Sequence, residues 1–254
     1  EDADGLRTRE WETGPVAALP AERRRPPAWT YRPTLLASTG TWPDYADRLR
    51  QALRQAAQPT DVVRRKARAS TQGAAQPRER IRTIRDFVAR QVRAAGPSFL
   101  SLPLSELSTA ATVLEDGYGH AADRAVLLYA LLKACGLQPE FLLASSYPDR
   151  PAVADPLKAT PQRSLYSYPL VRVRADEDGD WLILNDTDQY AHLGTTGHEN
   201  APVFFPADAS QGVLAVPDRW QDGQRTETRL QVATNGAMTM TRRRVARGME
   251  YAAF

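Results

Sequence analysis

The sequence predicts an α+β fold, with helices in the N-terminal half and a central buried helix packed on an antiparallel sheet or barrel from the C-terminal half. Three observations predict it. The stretch Val113–Leu143, VLEDGYGHAADRAVLLYALLKACGLQPEFLL, reads as a loop, a Gly-Tyr-Gly turn, a helix, a glycine stop and a strand. Within it Ala121, Ala125, Leu128, Leu132 and Cys135 keep helical spacing, and Val126, Leu127, Ala130, Leu131 and Ala134 fill the other faces. A helix apolar all round belongs inside a core. Amphipathic helical patterns precede this stretch, and short alternating runs follow it.

Taken in order, residues 1–40 show little helical periodicity and contain Pro15, Pro20, Pro26, Pro27 and Pro33. Leu6–Trp11 is a candidate strand, and the rest reads as an extended arm lying along the body. Asp44–Ala57 predicts a first helix, because Tyr45, Leu49 and Leu53 recur at four-residue spacing. Asp61–Ala69 predicts a shorter one. Pro77 opens an amphipathic helix whose stripe is Ile81, Ile84, Val88 and Val92, widened by Phe87, with arginines outside. Gly96 and Pro97 end it. Leu107–Leu114 predicts a short helical connection with Ser108 or Thr109 as N-cap.

After the central helix, Gly136 supplies a left-handed stop, and Glu140–Ala144 predicts a short apolar strand. Tyr147–Pro161 is proline-rich and reads as a long loop, a lid or partner-binding segment. Tyr166–Val173 and Trp181–Leu184, joined by a turn at 176–180, read as a hairpin. Residues 189–210 read as a loop holding Tyr190, His192 and His198, and Gly212–Val216 as a short strand. Thr226–Val232 and Met238–Val245, joined around Asn235-Gly236, give a strong hairpin signal. The organisation expected is an arm at 1–41, a core at 42–218 and a C-terminal β-hairpin at 219–254, where a further β domain could start.

Composition bounds function more loosely. With 254 residues, 42% of them hydrophobic, the chain can bury a sizeable core. A net charge of +3 is too small to argue for a nucleic-acid partner. The basic clusters at Arg23–Arg25, Arg64–Lys66, Arg78–Arg93 and Arg242–Arg244 read first as solvated faces. One cysteine, Cys135, excludes an internal disulfide and a cysteine metal site, and among apolar neighbours it reads as an inert core thiol. His192 and His198 lack a metal-site context, so no metal or cofactor is expected. Asn185-Asp186-Thr187 matches a glycosylation sequon by chance, and no phosphate loop or GxSxG elbow occurs. No apolar run is long enough to span a membrane. The chain starts at Glu1 without Met, so it reads as a processed or excised piece.

The run Gly119-His120-Ala121-Ala122-Asp123-Arg124-Ala125 resembles the G-x-C-x-D-x-A pattern of the transglutaminase-like superfamily, a papain-like cysteine fold. There the Cys is the nucleophile at a helix N-terminus, where unpaired N–H groups and the dipole stabilise a thiolate. Here that position is Ala121, which has nothing to ionise. The family's strand His falls at Tyr168 in Tyr166-Ser167-Tyr168-Pro169-Leu170-Val171. Its Asp, in W-x-x-L-D-x-T, falls at Asn185 in Trp181-Leu182-Ile183-Leu184-Asn185-Asp186-Thr187. Tyrosine, with a reference pKa of about 10, is a poor base at neutral pH, and asparagine cannot stabilise an imidazolium by charge. Ser38-Thr39-Gly40-Thr41-Trp42-Pro43-Asp44-Tyr45 after a Pro-rich linker resembles one bacterial branch of the superfamily, in which a β-rich domain precedes the core.

The resemblance implies a transglutaminase-like core with its catalytic residues degenerate, and hence a pseudoenzyme that binds protein or peptide or serves as a structural module of a larger bacterial envelope protein. A surviving groove would be lined by Tyr118, His120, Tyr168 and Asn185; His120 and Asp123 read first as N-terminal capping groups. A periplasmic or extracellular setting is implied by the same resemblance. The alternative is an active transglutaminase or cysteine peptidase whose nucleophile has been replaced at Ala121.

Overall fold

The computed structural model describes residues 10–15, 25–176, 179–184, 192–215 and 223–247. Helix α1 (Trp42–Ala56) starts on Thr41, whose hydroxyl accepts from Asp44 N while the Asp44 carboxylate accepts from Thr41 N. This reciprocal cap satisfies two amides that would otherwise lack partners. Helix α2 (Asp61–Ser70) and helix α3 (Pro77–Gln91) follow; α2 buries Val63 and Ala67, and α3 buries Ile81, Ile84 and Val88 of the stripe read from its spacing. Strand β1 (Arg93–Ala94) runs parallel to strand β2 (Tyr118–Gly119), and helix α4 (Ala110–Asp116) lies between them in sequence. Thr109 caps α4 by accepting from Thr112 N, and Gly117 ends it with φ of 70°, a conformation that costs other residues more.

Helix α5 (Ala121–Ala134) is the centre of the molecule, with ten of its fourteen residues buried. It packs on α2, α3 and α4 on one side and on the sheet on the other. The sheet consists of β3 (Glu140–Ser145), β4 (Tyr166–Arg174), β5 (Trp181–Leu184), β6 (Pro202–Phe205) and β7 (Ser210–Val213). All neighbours are antiparallel, in the order β5-β4-β3-β6-β7. Its pleat sorts the two faces. Phe141, Leu143, Val171 and Val173 join the core around α5, and Tyr129 of α5 stacks on Phe141 at 4.3 Å. Leu142, Ala144, Leu170 and Val203 form a smaller cluster on the other face with Leu214. Among the described residues the sheet has two edges, so it is an open sheet and not a barrel.

Two expectations change. The segment from Tyr147 to Pro161 is not a loop: Pro151–Ala159 forms helix α6. Pro151 sits at the start of the helix, where its fixed φ suits the first turn, so a proline read as a breaker is a beginning. Trp29 of the arm donates its Nε1–H to Val153 O at 2.9 Å, and Trp42 donates to Lys158 O at 2.7 Å, which fastens α6 to the body. Inside the 189–210 segment lies β6, whose Val203 and Phe204 are buried; its proline is the first residue of the strand, where a missing N–H is tolerated. The strand expected at Gly212–Val216 is β7, shifted to Ser210–Val213.

The pairing of Tyr118-Gly119 with Arg93-Ala94 gives the Gly-Tyr-Gly turn a ladder that its length concealed. Of the arm, Glu10 and Trp11 form no strand, and Leu6 to Arg9 lie outside the described residues. Cys135 is half-buried, its Sγ 3.8 Å from Thr71 Oγ1. The last two strands, β8 (Gly223–Val232) and β9 (Met238–Arg247), pair with each other over ten residues and form a separate two-stranded sheet.

Candidate functional site

The start of α5 is built by a short polar network. His120, the N-cap, is 7% exposed, and its Nδ1 accepts from Ala122 N at 3.1 Å and from Asp123 N at 3.3 Å. With Nδ1 accepting, the ring proton of neutral His120 resides on Nε2, which lies 3.5 Å from Asp123 Oδ1. Asp123, 4% exposed, returns the cap: Oδ2 accepts from His120 N at 3.3 Å, and Oδ1 accepts from Ser108 N at 2.9 Å. Its carboxylate stands at the positive end of the helix dipole. Both residues thus perform the capping role that their position suggested.

Glycine is required at 119. A Cβ there would lie 2.8 Å from Asp123 Cβ and 3.4 Å from Val113 Cγ1. The β1–β2 ladder, with Ala95 N donating to Gly119 O at 3.0 Å, presses the turn against the network. Ala121 follows as the first helical residue, and it is exposed. It presents a methyl group where the motif's nucleophile would stand. Tyr118, just before, is 54% exposed.

Tyr168 is 41% exposed and pairs with Ala144 across the β3–β4 ladder. The pleat puts it with Leu170, on the sheet face turned away from α5. Its ring partner there is His198, with centroids 4.4 Å apart and planes at 38°. Burial holds the His198 imidazole below the usual histidine range, and the neighbouring Glu199 opposes that shift. The contacts therefore group His120 with Asp123, and Tyr168 with His198. Asn185, together with Asp186 and Thr187, lies outside the described residues. Sequence reasoning had no means of pairing His198 with Tyr168, since thirty residues separate them and neither position carries a shared motif.

Among the described residues no cluster of three or more His, Cys, Asp or Glu could hold a metal ion. The clefts at the surface lie elsewhere. One of about 490 Å³ is walled by Trp29, Tyr147 and three prolines, and one of about 540 Å³ runs between α2, α3 and α4.

No family model and no curated protein matches this sequence. Among solved structures the chain is similar to a candidate protease from Parabacteroides distasonis, with 17% identity and a TM-score of 0.51 over 68% of this chain and 31% of that one. That likeness shows the fold alone. It is a mixed α+β fold with six helices and a five-stranded antiparallel sheet among the described residues. A candidate cysteine protease from Cytophaga hutchinsonii aligns with 14% identity and a TM-score of 0.39, over 73% of this chain and 51% of that one. The chain spans about a third of the length of the first and half that of the second.

Proposed function

We propose that this chain is a catalytically inactive transglutaminase-like domain, a protein- or peptide-binding or structural module of a larger bacterial envelope protein in a periplasmic or extracellular setting. One observation carries the reading. At the helix N-terminus where the motif calls for a thiolate, Ala121 offers only a methyl group, and the adjacent imidazole is spent on capping. The name of the first similar structure suits a scaffold of protease type, on which the exposed Tyr118, beside the start of α5, receives an extended peptide without its being cleaved.

The second reading, an active acyl-transfer or peptide-hydrolysing enzyme with its nucleophile replaced, has the exposure of Ala121 in its favour, since a cysteine there would meet substrate. Ala121→Cys separates the two. On the pseudoenzyme reading the new thiol is alkylated by iodoacetamide, yet the folded variant leaves a peptide substrate intact. Turnover by that single variant would establish the enzyme reading, whereas turnover that also needs Tyr168→His and Asn185→Asp supports loss of catalysis.

A further inference from the structure

The cleft between α2, α3 and α4 is built on a second face of α2. Val63 and Ala67 turn to the core, whereas Val62, Arg65, Lys66 and Ala69 line the cleft. Their spacings of three and four keep them on one side of the helix. Phe87 and Gln91 of α3 and Leu114 of α4 close it. Val62 is 47% exposed, and Phe87 and Leu114 are half-buried. Every residue from 25 to 176 is described, so no undescribed residue adjoins these elements along the chain.

The floor is apolar, and the charge on the lining is all of one sign. Arg65 and Lys66 are its two ionised side chains, and neither is ion-paired among the described residues. Lys66 lies across the floor with Nζ 4.1 Å from the Phe87 ring centroid, a contact that leaves its positive charge uncompensated. The acids nearby are turned elsewhere. Asp61 is held by Arg64 at 3.0 Å and Asp86 by Arg85 at 2.7 Å. Successive residues of α4 turn by about 100°, so Asp116 projects from the side opposite Leu114, and Glu115 stands outside the lining.

We propose that this cleft receives an amphipathic helix of a partner protein, one whose apolar stripe is flanked by carboxylates. Its apolar side chains lie on Val62, Phe87 and Leu114, and its carboxylates meet Arg65 and Lys66. From Val62 to Ala69 the wall of α2 runs for about 10 Å, two turns of a helix laid alongside. The rim selects by sign, because an acid there makes a charge-assisted pair whereas a base sets like charges together. A second copy of this chain fits less well. The outward faces of its α2 and α3 carry Arg64, Arg68, Arg78, Arg82 and Arg90, which would meet Arg65 and Lys66 with the wrong sign. The inference concerns binding at a helical face, not chemistry or its loss at Ala121, so each reading can fail without the other.

Fluorescence anisotropy of the full chain with a labelled synthetic peptide tests this. The probe is a helix-forming peptide with leucines at i, i+3 or i+4, and i+7 and glutamates on both flanks. One control replaces the glutamates by lysines, and another scrambles the leucines off their common face. The acidic peptide is expected to bind saturably and to be released by salt, with both controls weaker by about tenfold or more. Val62→Asp should abolish binding. Arg65→Glu with Lys66→Glu should invert the preference toward the lysine peptide, a gain that loss of folding cannot produce. Arg68→Glu, the same charge change on the outward face of α2, should leave binding unchanged. Absence of saturable binding, equal binding of the lysine peptide, binding that survives Val62→Asp, or an uninverted preference in the double variant overturns the proposal. Concentration-dependent self-association lost in Val62→Asp would also overturn it, by assigning the cleft to a second copy.

Discussion

At the scale of single residues, His198 is a titratable group whose environment is set by the fold. Burial against Tyr168 lowers its pKa from the usual 6.5, so the unfolded chain binds its proton more readily than the native one. Stability from this source is complete above pH 6.5 and is lost as pH falls through the lowered native value. His192, also lowered by burial and by Arg78, acts in the same direction. The melting temperature should therefore fall on acidification below pH 6.5. His198→Phe, which keeps a ring against Tyr168, should make that fall shallower while His192 retains its part. A thermal melt series in acetate and phosphate buffers reads it, and equal slopes in both proteins would refute the assignment. Residue by residue, the sequence made the cap legible, because His120 and Asp123 stand at N-cap and N3 spacing. It did not make the face of Tyr168 legible, because a strand's inward side depends on the partner against which it registers.

At the scale of elements, the N-terminus of α5 depends on a glycine and a carboxylate acting together. Asp123→Ala leaves Ser108 N and His120 N without their acceptor in a buried place, and should cost about 2–4 kcal/mol. Gly119→Ala drives a methyl group into Asp123 Cβ and should cost about 1–3 kcal/mol. Urea titration checks both, and a value near zero for either would show that the network relaxes freely. Helices α1 and α3 were legible because their stripes repeat with the helical period, and α5 because a helix-length apolar run is closed by Gly136. Helix α6 and strand β6 were not, because Pro151 and Pro202 sit at element starts, where the residue that ends one element opens another. The two-residue ladder between β1 and β2 is too short to leave any pattern.

At the scale of the whole molecule, the core and the hairpin are separable. The sheet, α5 and the helices around it share one apolar cluster, in which no residue of β8 or β9 takes part. A chain ending at residue 215 should therefore melt within a few degrees of the full chain. A large drop in differential scanning calorimetry would show that the hairpin steadies the core. The same division explains why the α+β architecture could be read from the sequence while the outer face of the hairpin could not. Alternation predicts the strands, but Leu, Val and Met on one face ordinarily signal burial, and here they are exposed among the described residues.

The packing around α5 also bears on how the chain can be made. Its helical partners α1 to α4 all precede it, and its sheet partners β3 and β4 are complete by Arg174. A polypeptide leaving the ribosome N-terminus first has three of the walls of this most apolar helix in hand when the helix itself emerges. Forty residues later the last wall is present. The helices and the two central strands against which α5 chiefly packs are complete by Arg174, so the segment most prone to stick to other chains during synthesis is covered early.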